Sequence, residues 1–340
     1  MNTAAHNIRL TAAEVGSLWI HFMNGSLSKC TLSYFRARTK DTEIQPVLDT
    51  ALSMLNSQLN TITKILQQEE YPLPVGFTDK DVMMETPRLF SDPFHLNYVR
   101  NLAKTNMVAH ALSVSMTTRA DKRALSMQSL KDAGDLDEQA TKVMQSKGLA
   151  VRPPYITPRG HAEYIQSTDF LGSFFGQQRM LSSLEITHLF LNAQSNAVAK
   201  ALFIGFSQVA HDEVLRDLFV RAADIVDKHV EIFNTTLKES GVPGPMSLDS
   251  DITVSTTPPF SDKLMLYHLV ALMNMALGYY ASAMGASLRA DLMLDYTRLT
   301  VEIEKINWEA ISLLIDRGWA EQPPMAPDRK KLAYSGKSSL

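Results

Sequence analysis

The chain has 340 residues, 45% hydrophobic and 20% charged: enough apolar material for a sizeable core, and no bias toward a disordered, collagen-like or disulfide-stapled protein. Thirty-three Lys+Arg against 36 Asp+Glu leave a formal charge of −3, so no strong field favours nucleic acid or an anionic membrane as partner. Cys30 is the single thiol, which excludes an intramolecular disulfide, and the opening MNTAAHNIRLTAAEVG holds no apolar stretch of signal-peptide length. A reducing, cytoplasmic setting is the expectation, and sparse Gly and Pro favour long helices.

An internal repeat organises everything else. Leu10-Thr11-Ala12-Ala13-Glu14 returns as Leu181-Ser182-Ser183-Leu184-Glu185, and Pro72-Leu73-Pro74 as Pro243-Gly244-Pro245, both at an offset of 171. One deletion then shortens the offset to 170, at which Phe90-Ser91-Asp92 matches Phe260-Ser261-Asp262, Arg119-Ala120-Asp121 matches Arg289-Ala290-Asp291, and Gly148 with Pro153-Pro154 matches Gly318 with Pro323-Pro324. So long a period marks whole domains rather than solenoid units. The expected division is a first bundle over 1–154, a linker over 155–180, a second bundle over 181–330 and a solvated tail over 331–340. Phe170, Phe174 and Phe175 in the linker are expected to dock against a bundle, because bare exposure of three rings is costly.

Each copy reads as four helices. In the first, Thr11 and Glu14 form a capping box, with Leu10 facing Val15 as a hydrophobic staple. In the second, Ser182, Glu185, Leu181 and Ile186 repeat the device, opening a helix that runs to about Val209. The next helix starts at Asp212 and stops at Gly241, with Leu215, Phe219, Ala222, Val226, His229 and Phe233 at bundle-seam spacing. A third runs from near Ser261 to about Arg289. A fourth starts at Asp291, carries Leu292, Tyr296, Leu299, Ile303, Ile306, Ala310 and Leu313 on one stripe, and ends at Gly318. Short connections make helices one and two, and three and four, antiparallel hairpins. The roughly twenty residues from Ser240 to Phe260 extend to about 66 Å, more than the ~42 Å length of a 28-residue helix, so they can cross back along the bundle and start the third helix parallel to the second. The predicted fold is all-α: two tandem ferritin-like four-helix bundles, each with a long crossover between its second and third helices.

Five segments carry a family resemblance: Pro72-Leu73-Pro74-Val75-Gly76-Phe77-Thr78, Arg152-Pro153-Pro154-Tyr155, Glu185-Ile186-Thr187-His188-Leu189-Phe190, Lys228-His229-Val230-Glu231-Ile232-Phe233 and Glu321-Gln322-Pro323-Pro324. In these the chain, over residues 10–330, resembles tandem ferritin-like proteins of unknown function from Bacillus and other spore-forming Firmicutes, distantly similar to coat-F-type spore coat proteins. The resemblance implies two ferritin-like domains, no established enzymatic activity, and a location in the cell or its spore.

Standard catalytic motifs are absent, and Gly336-Lys337-Ser338 is no P-loop because residue 331 is Lys where the motif needs its first Gly. Residues 264–286 are uncharged and long enough to span a bilayer, yet the equivalent Phe94 to Met116 carries Arg100 and Lys104, so a buried bundle helix is expected and no transmembrane segment.

Ferritin-like bundles hold two metal ions through Glu residues and Glu-x-x-His pairs. This chain departs from that pattern: Val226 precedes His229 by three, Lys305 follows Glu302 by three, and the one Glu-x-x-His on a bundle helix is Glu185 to His188, whose Glu already caps the helix. If a zinc or iron site exists, His188, His229 and Glu302 are the candidate ligands. Along the second bundle they fall at heights of about 9, 16 and 16 Å, while the crossover lifts His268 to about 31 Å; without the crossover His268 would drop to about 10 Å and become the partner of His188. The first copy has Ser17, Gln58 and Tyr98 at the three histidine positions. The expected function is non-enzymatic, by packing or assembly as a homo-oligomer or with spore-coat partners. The rivals are a metal-binding oxidoreductase or storage protein using the second bundle, and a small-molecule carrier lined by Asn24 and Ser28 or by Asn192, Gln194 and Asn196.

Overall fold

The computed structural model describes residues 8–158, 160–173 and 178–335. Its long helices are α1 (Ala12–Arg38), α2 (Gln45–Gln68), α3 (Asp92–Met116), α4 (Ala120–Ser146), α5 (Ser183–Val209), α6 (Glu213–Glu239), α7 (Asp262–Ala286) and α8 (Ala290–Asp316). A short α9 (Arg329–Ser335) occupies part of the expected tail; residues 336–340 lie outside the described set. No β-strand occurs among the described residues.

Hydrogen bonds between helix ends fix the topology. The hydroxyl of Thr39, at the end of α1, meets His95 Nδ1 at the start of α3 (2.8 Å), while Ser17 near the start of α1 meets Ser113 near the end of α3 (2.9 Å). So α3 runs antiparallel to α1 and parallel to α2, as the crossover requires. In the second half, the Asp262 carboxylate that opens α7 accepts from the backbone of His211 and Asp212 between α5 and α6, giving the same connectivity.

Both capping boxes form, and each does more than cap its own helix. Glu14 accepts from Thr11 N (2.8 Å) and, across the bundle, from Thr118 N (2.9 Å) and Arg119 N (2.8 Å) at the start of α4. Glu185 accepts from Ser182 N, from Leu288 N and Arg289 N at the start of α8, and from both terminal nitrogens of Arg179. This is why α4 and α8 lack a side-chain cap of their own. One buried carboxylate neutralises two helix N-termini at once.

The halves keep their own helices but share their main core: buried residues from α1 to α8 form one large cluster, and only a small one around Leu10, Leu18 and Ile62 belongs to the first half alone. The crossovers meet in antiparallel bridges, Val82 to Phe260 and Phe90 to Ile252. Around them Ser91 pairs with Asp251 (2.5 Å) and Ser261 with Asp81 (2.8 Å), a reciprocal pair of contacts. Past α8, Glu321 returns to the first half and accepts from Val75 N and Gly76 N (2.8 and 2.6 Å). Gly205 on α5 lets the Phe90 ring approach, since a Cβ there would stand 2.5 Å from its Cζ.

Between the halves a 3-10 turn, Thr168–Leu171, forms, and Phe170 is half-buried beneath the Arg179 guanidinium, 4.0 Å from its ring centroid. Phe174 and Phe175 lie outside the described residues. α7 is long and apolar enough to cross a membrane by length and composition, yet 56% of its most apolar window is buried within the structure.

Burial alone would push Glu14 and Glu185 up, but their hydrogen bonds outweigh it and hold both carboxyls at about 2 against an ordinary 4.5. Their stabilisation is therefore complete above pH 4.5 and is lost as pH falls toward 2. Glu185→Gln is expected to cost about 3 kcal/mol in urea unfolding at neutral pH, and the wild-type advantage over it should shrink steadily as the titration moves through that acid range.

Candidate functional site

The second bundle brings His229 and Glu302 together and leaves His188 apart. His229, fully buried on the α6 seam, has Nε2 3.1 Å from Glu302 Oε2 and Nδ1 3.0 Å from the Tyr280 hydroxyl. Glu302 also receives Lys228 Nζ at 2.6 Å. An ionised carboxylate only accepts, so Nε2–H donates to Glu302 and Nδ1 accepts from the Tyr280 O–H; the Tyr280 oxygen in turn accepts from Asn196 Nδ2 (2.6 Å). Asn192 Nδ2 donates to the Tyr296 hydroxyl beside it (3.3 Å). Both imidazole nitrogens are thus committed, with no lone pair free for a metal.

His188 is half-buried and hydrogen-bonds to neither His229 nor Glu302, and Glu185 of its Glu-x-x-His is consumed as a double cap. Among the described residues no group of three or more His, Cys, Asp or Glu side chains is placed to hold a metal ion. The expected three-ligand cluster does not assemble: His229 and Glu302, at matching height, meet, and His188 joins neither of them. His268 sits at the other end, as the crossover requires: its Nε2 meets the Tyr98 hydroxyl at 3.1 Å and its ring packs beside Phe206.

The first bundle holds residues that the reading from sequence passed over. Lys122 is fully buried, its ammonium donating to Ser113 Oγ and Ser126 Oγ (both 2.9 Å), and burial lowers it to about 8. His21 and His110 stack with centroids 4.3 Å apart, both held neutral by burial, with the Lys122 charge adding to the effect. Next to them, bounded by α1, α2, α3 and α7, is a cavity of about 100 Å³ to which Asn24, Ser28 and Gln58 contribute. Of the polar positions expected to line a pocket, Asn24 and Ser28 do so here. Asn192 and Asn196 bond between helices beside a void of only about 10 Å³, and Gln194 accepts from Lys104 (2.8 Å). The available signal was the repeat read in reverse: His21 and His110 stand where the second copy has Asn192 and Tyr280.

Burial dominates the titration of His229 and pulls it from 6.5 to about 4, although Glu302 opposes the shift. Its neutral form therefore stabilises the fold fully above pH 6.5, and this contribution falls away as pH drops toward 4. Ring-nitrogen NMR one pH unit below 6.5 should show His229 with a single N–H; a doubly protonated ring there would contradict the assignment.

No curated protein matches the chain. Among solved structures it is similar to a protein of Bacillus halodurans C-125 described as a "putative spore coat protein", at 16% identity and a TM-score of 0.41, over 45% of this chain and 99% of that one. Both halves, residues 1–161 and residues 169–332, match one family pattern, and the chain belongs to that family, described as a protein of unknown function (DUF3231).

Proposed function

We propose that the protein works by packing and assembly rather than by turnover, and that α8 is the surface through which one copy meets another. The observation that carries this is a strict heptad of exposed apolar residues along one face of α8: Leu294, Val301, Trp308 and Ile315, with Trp308 75% exposed. At the same places in α4 the first copy has Ala124, Lys131, Glu138 and Gln145, so the bundle does not need apolar residues there. A seven-residue apolar repeat on an outer face suits a two-stranded helix contact.

The register is self-complementary. A two-fold axis between Glu304 and Lys305 sets Leu294 against Ile315 and Val301 against Trp308 of the partner helix, and Lys305 against the opposing Glu304. This opposite-charge pairing recommends a second copy of the same chain as the occupant. The resemblance to proteins of spore formers supports a setting in the cell or its spore.

Light scattering of the eluting protein should give the mass of a dimer, and Trp308→Glu or Val301→Glu should return it to a monomer with unchanged helical content, because both side chains are exposed in the single chain. A monomeric wild type, or variants that still dimerise, would defeat the proposal.

A further inference from the structure

The first-bundle cavity has the properties of a binding site, and it is independent of α8. Four polar atoms around it find no partner in the protein: Asn24 Oδ1, Gln58 Nε2, His110 Nδ1 and His268 Nδ1. The Gln58, His110 and His268 side chains are only 8, 4 and 3% exposed, so bulk water does not solvate them. Leaving such groups unpaired costs about 1–3 kcal/mol each, and four around one space of about 100 Å³ point to an occupant.

The second bundle shows what filling this space looks like. Gly25, Gln58, His110 and Ser126 of the first copy correspond to Asn196, His229, Tyr280 and Tyr296. There the Tyr280 hydroxyl stands between Asn196 and His229 and satisfies both, and the remaining void is about 10 Å³. In the first copy the shorter His110 and Ser126 take the place of the two tyrosines; Ser126 bonds to Ser113 and Lys122, whereas Gln58 Nε2 and His110 Nδ1 beside the cavity have no partner in the protein.

From this the geometry points to a ligand site in the first bundle for a small, planar, neutral molecule that carries an N–H donor beside a lone-pair acceptor, as amides and azoles do. Each part of that description has a source. Size follows from the volume, since a cavity of about 150 Å³ takes up benzene; five or six non-hydrogen atoms are what a slightly smaller one admits. Neutrality follows from the lining, in which no Asp, Glu, Lys or Arg appears; an ion would enter without a counter-charge. Burial keeps His110 and His268 uncharged, at about 4 and about 3, and the nearby Lys122 further disfavours a cation. The paired donor and acceptor follow from the open amide oxygen of Asn24 and the open amide nitrogen of Gln58. A small ring or amide plane also matches the flat His21–His110 stack at one wall.

The test uses the full chain, with pyrazole and acetamide as probes and acetate and methylammonium as charged controls, read by ligand-observed NMR and by the shift in thermal midpoint. Pyrazole or acetamide should bind, and both ions should bind at least about tenfold more weakly. His110→Tyr, which builds the second-copy solution into the first, should abolish binding while raising the thermal midpoint. Gln58→Leu, which keeps the bulk and removes the donor, should weaken binding by about tenfold and leave the fold intact if the tyrosine variant does not fold. Three outcomes overturn the proposal: no uptake of either neutral probe, acetate or methylammonium bound as well as pyrazole, or affinity unchanged in a folded Gln58→Leu protein. A pocket that holds only exchangeable water would give the first of these.

Discussion

The architecture depends on a carboxylate placed where water does not reach. Glu14 and Glu185 each sit at the junction of two helix N-termini that are far apart in sequence, and each supplies the negative charge and lone pairs that both ends lack. A helix start leaves four N–H groups without partners. Closing two starts with one side chain binds the first and fourth helices of a half before any apolar contact is counted. It also orients the half: with α1 and α4 pinned at one end, the α3–α4 hairpin must run down from the other, and the second-to-third connection has to cross the bundle. The crossover is thus a consequence of where the charge lies as well as of loop length.

The same crossovers bind the halves to each other. Their paired backbones and the reciprocal Ser91–Asp251 and Ser261–Asp81 contacts relate first to second as second to first. A duplication that had merely been strung in tandem would show two cores; here Phe90 reaches Gly205, and Glu321 returns to the backbone of Val75 and Gly76. The repeat therefore predicts the parts better than it predicts their separateness.

Much of this was legible in the sequence, and the failures have physical causes. Caps, seams, hairpins and the crossover follow from local rules and chain length, and the capping boxes at Thr11 and Ser182 form as read. The second role of Glu14 and Glu185 was not legible, because Thr118 and Leu288 are far away in sequence and carry no signature of being capped. The proposed metal triad failed for a related reason. Rise per residue gives height along a bundle but not azimuth, and of the three only His229 and Glu302 meet. His21 and His110 have no histidine at the equivalent positions of the second copy, Asn192 and Tyr280, so the histidines of that copy do not point to them.

That asymmetry is the most informative property of the pair. Positions that the fold requires carry the same residue in both halves and share a central contact: Glu14 and Glu185 cap two helix starts, Asp92 and Asp262 accept from the backbone between the first two helices, and Arg119 and Arg289 pair with Asp121 and Asp291. Positions that differ are where the fold is indifferent and something else has decided. Inside the first half, His110 stands where the second has Tyr280 and lines a chamber; outside the second, Val301 and Trp308 stand where the first has Lys131 and Glu138 and form an apolar ridge. One wall of the chamber, including His268, is contributed by α7 of the second half, whose own interior is filled by the Asn196–Tyr280–His229–Glu302 chain. A fully satisfied polar network rigidifies the helices that carry it. The wall that the second half lends to the chamber is therefore carried by a helix anchored, at Tyr280, to α5 and α6.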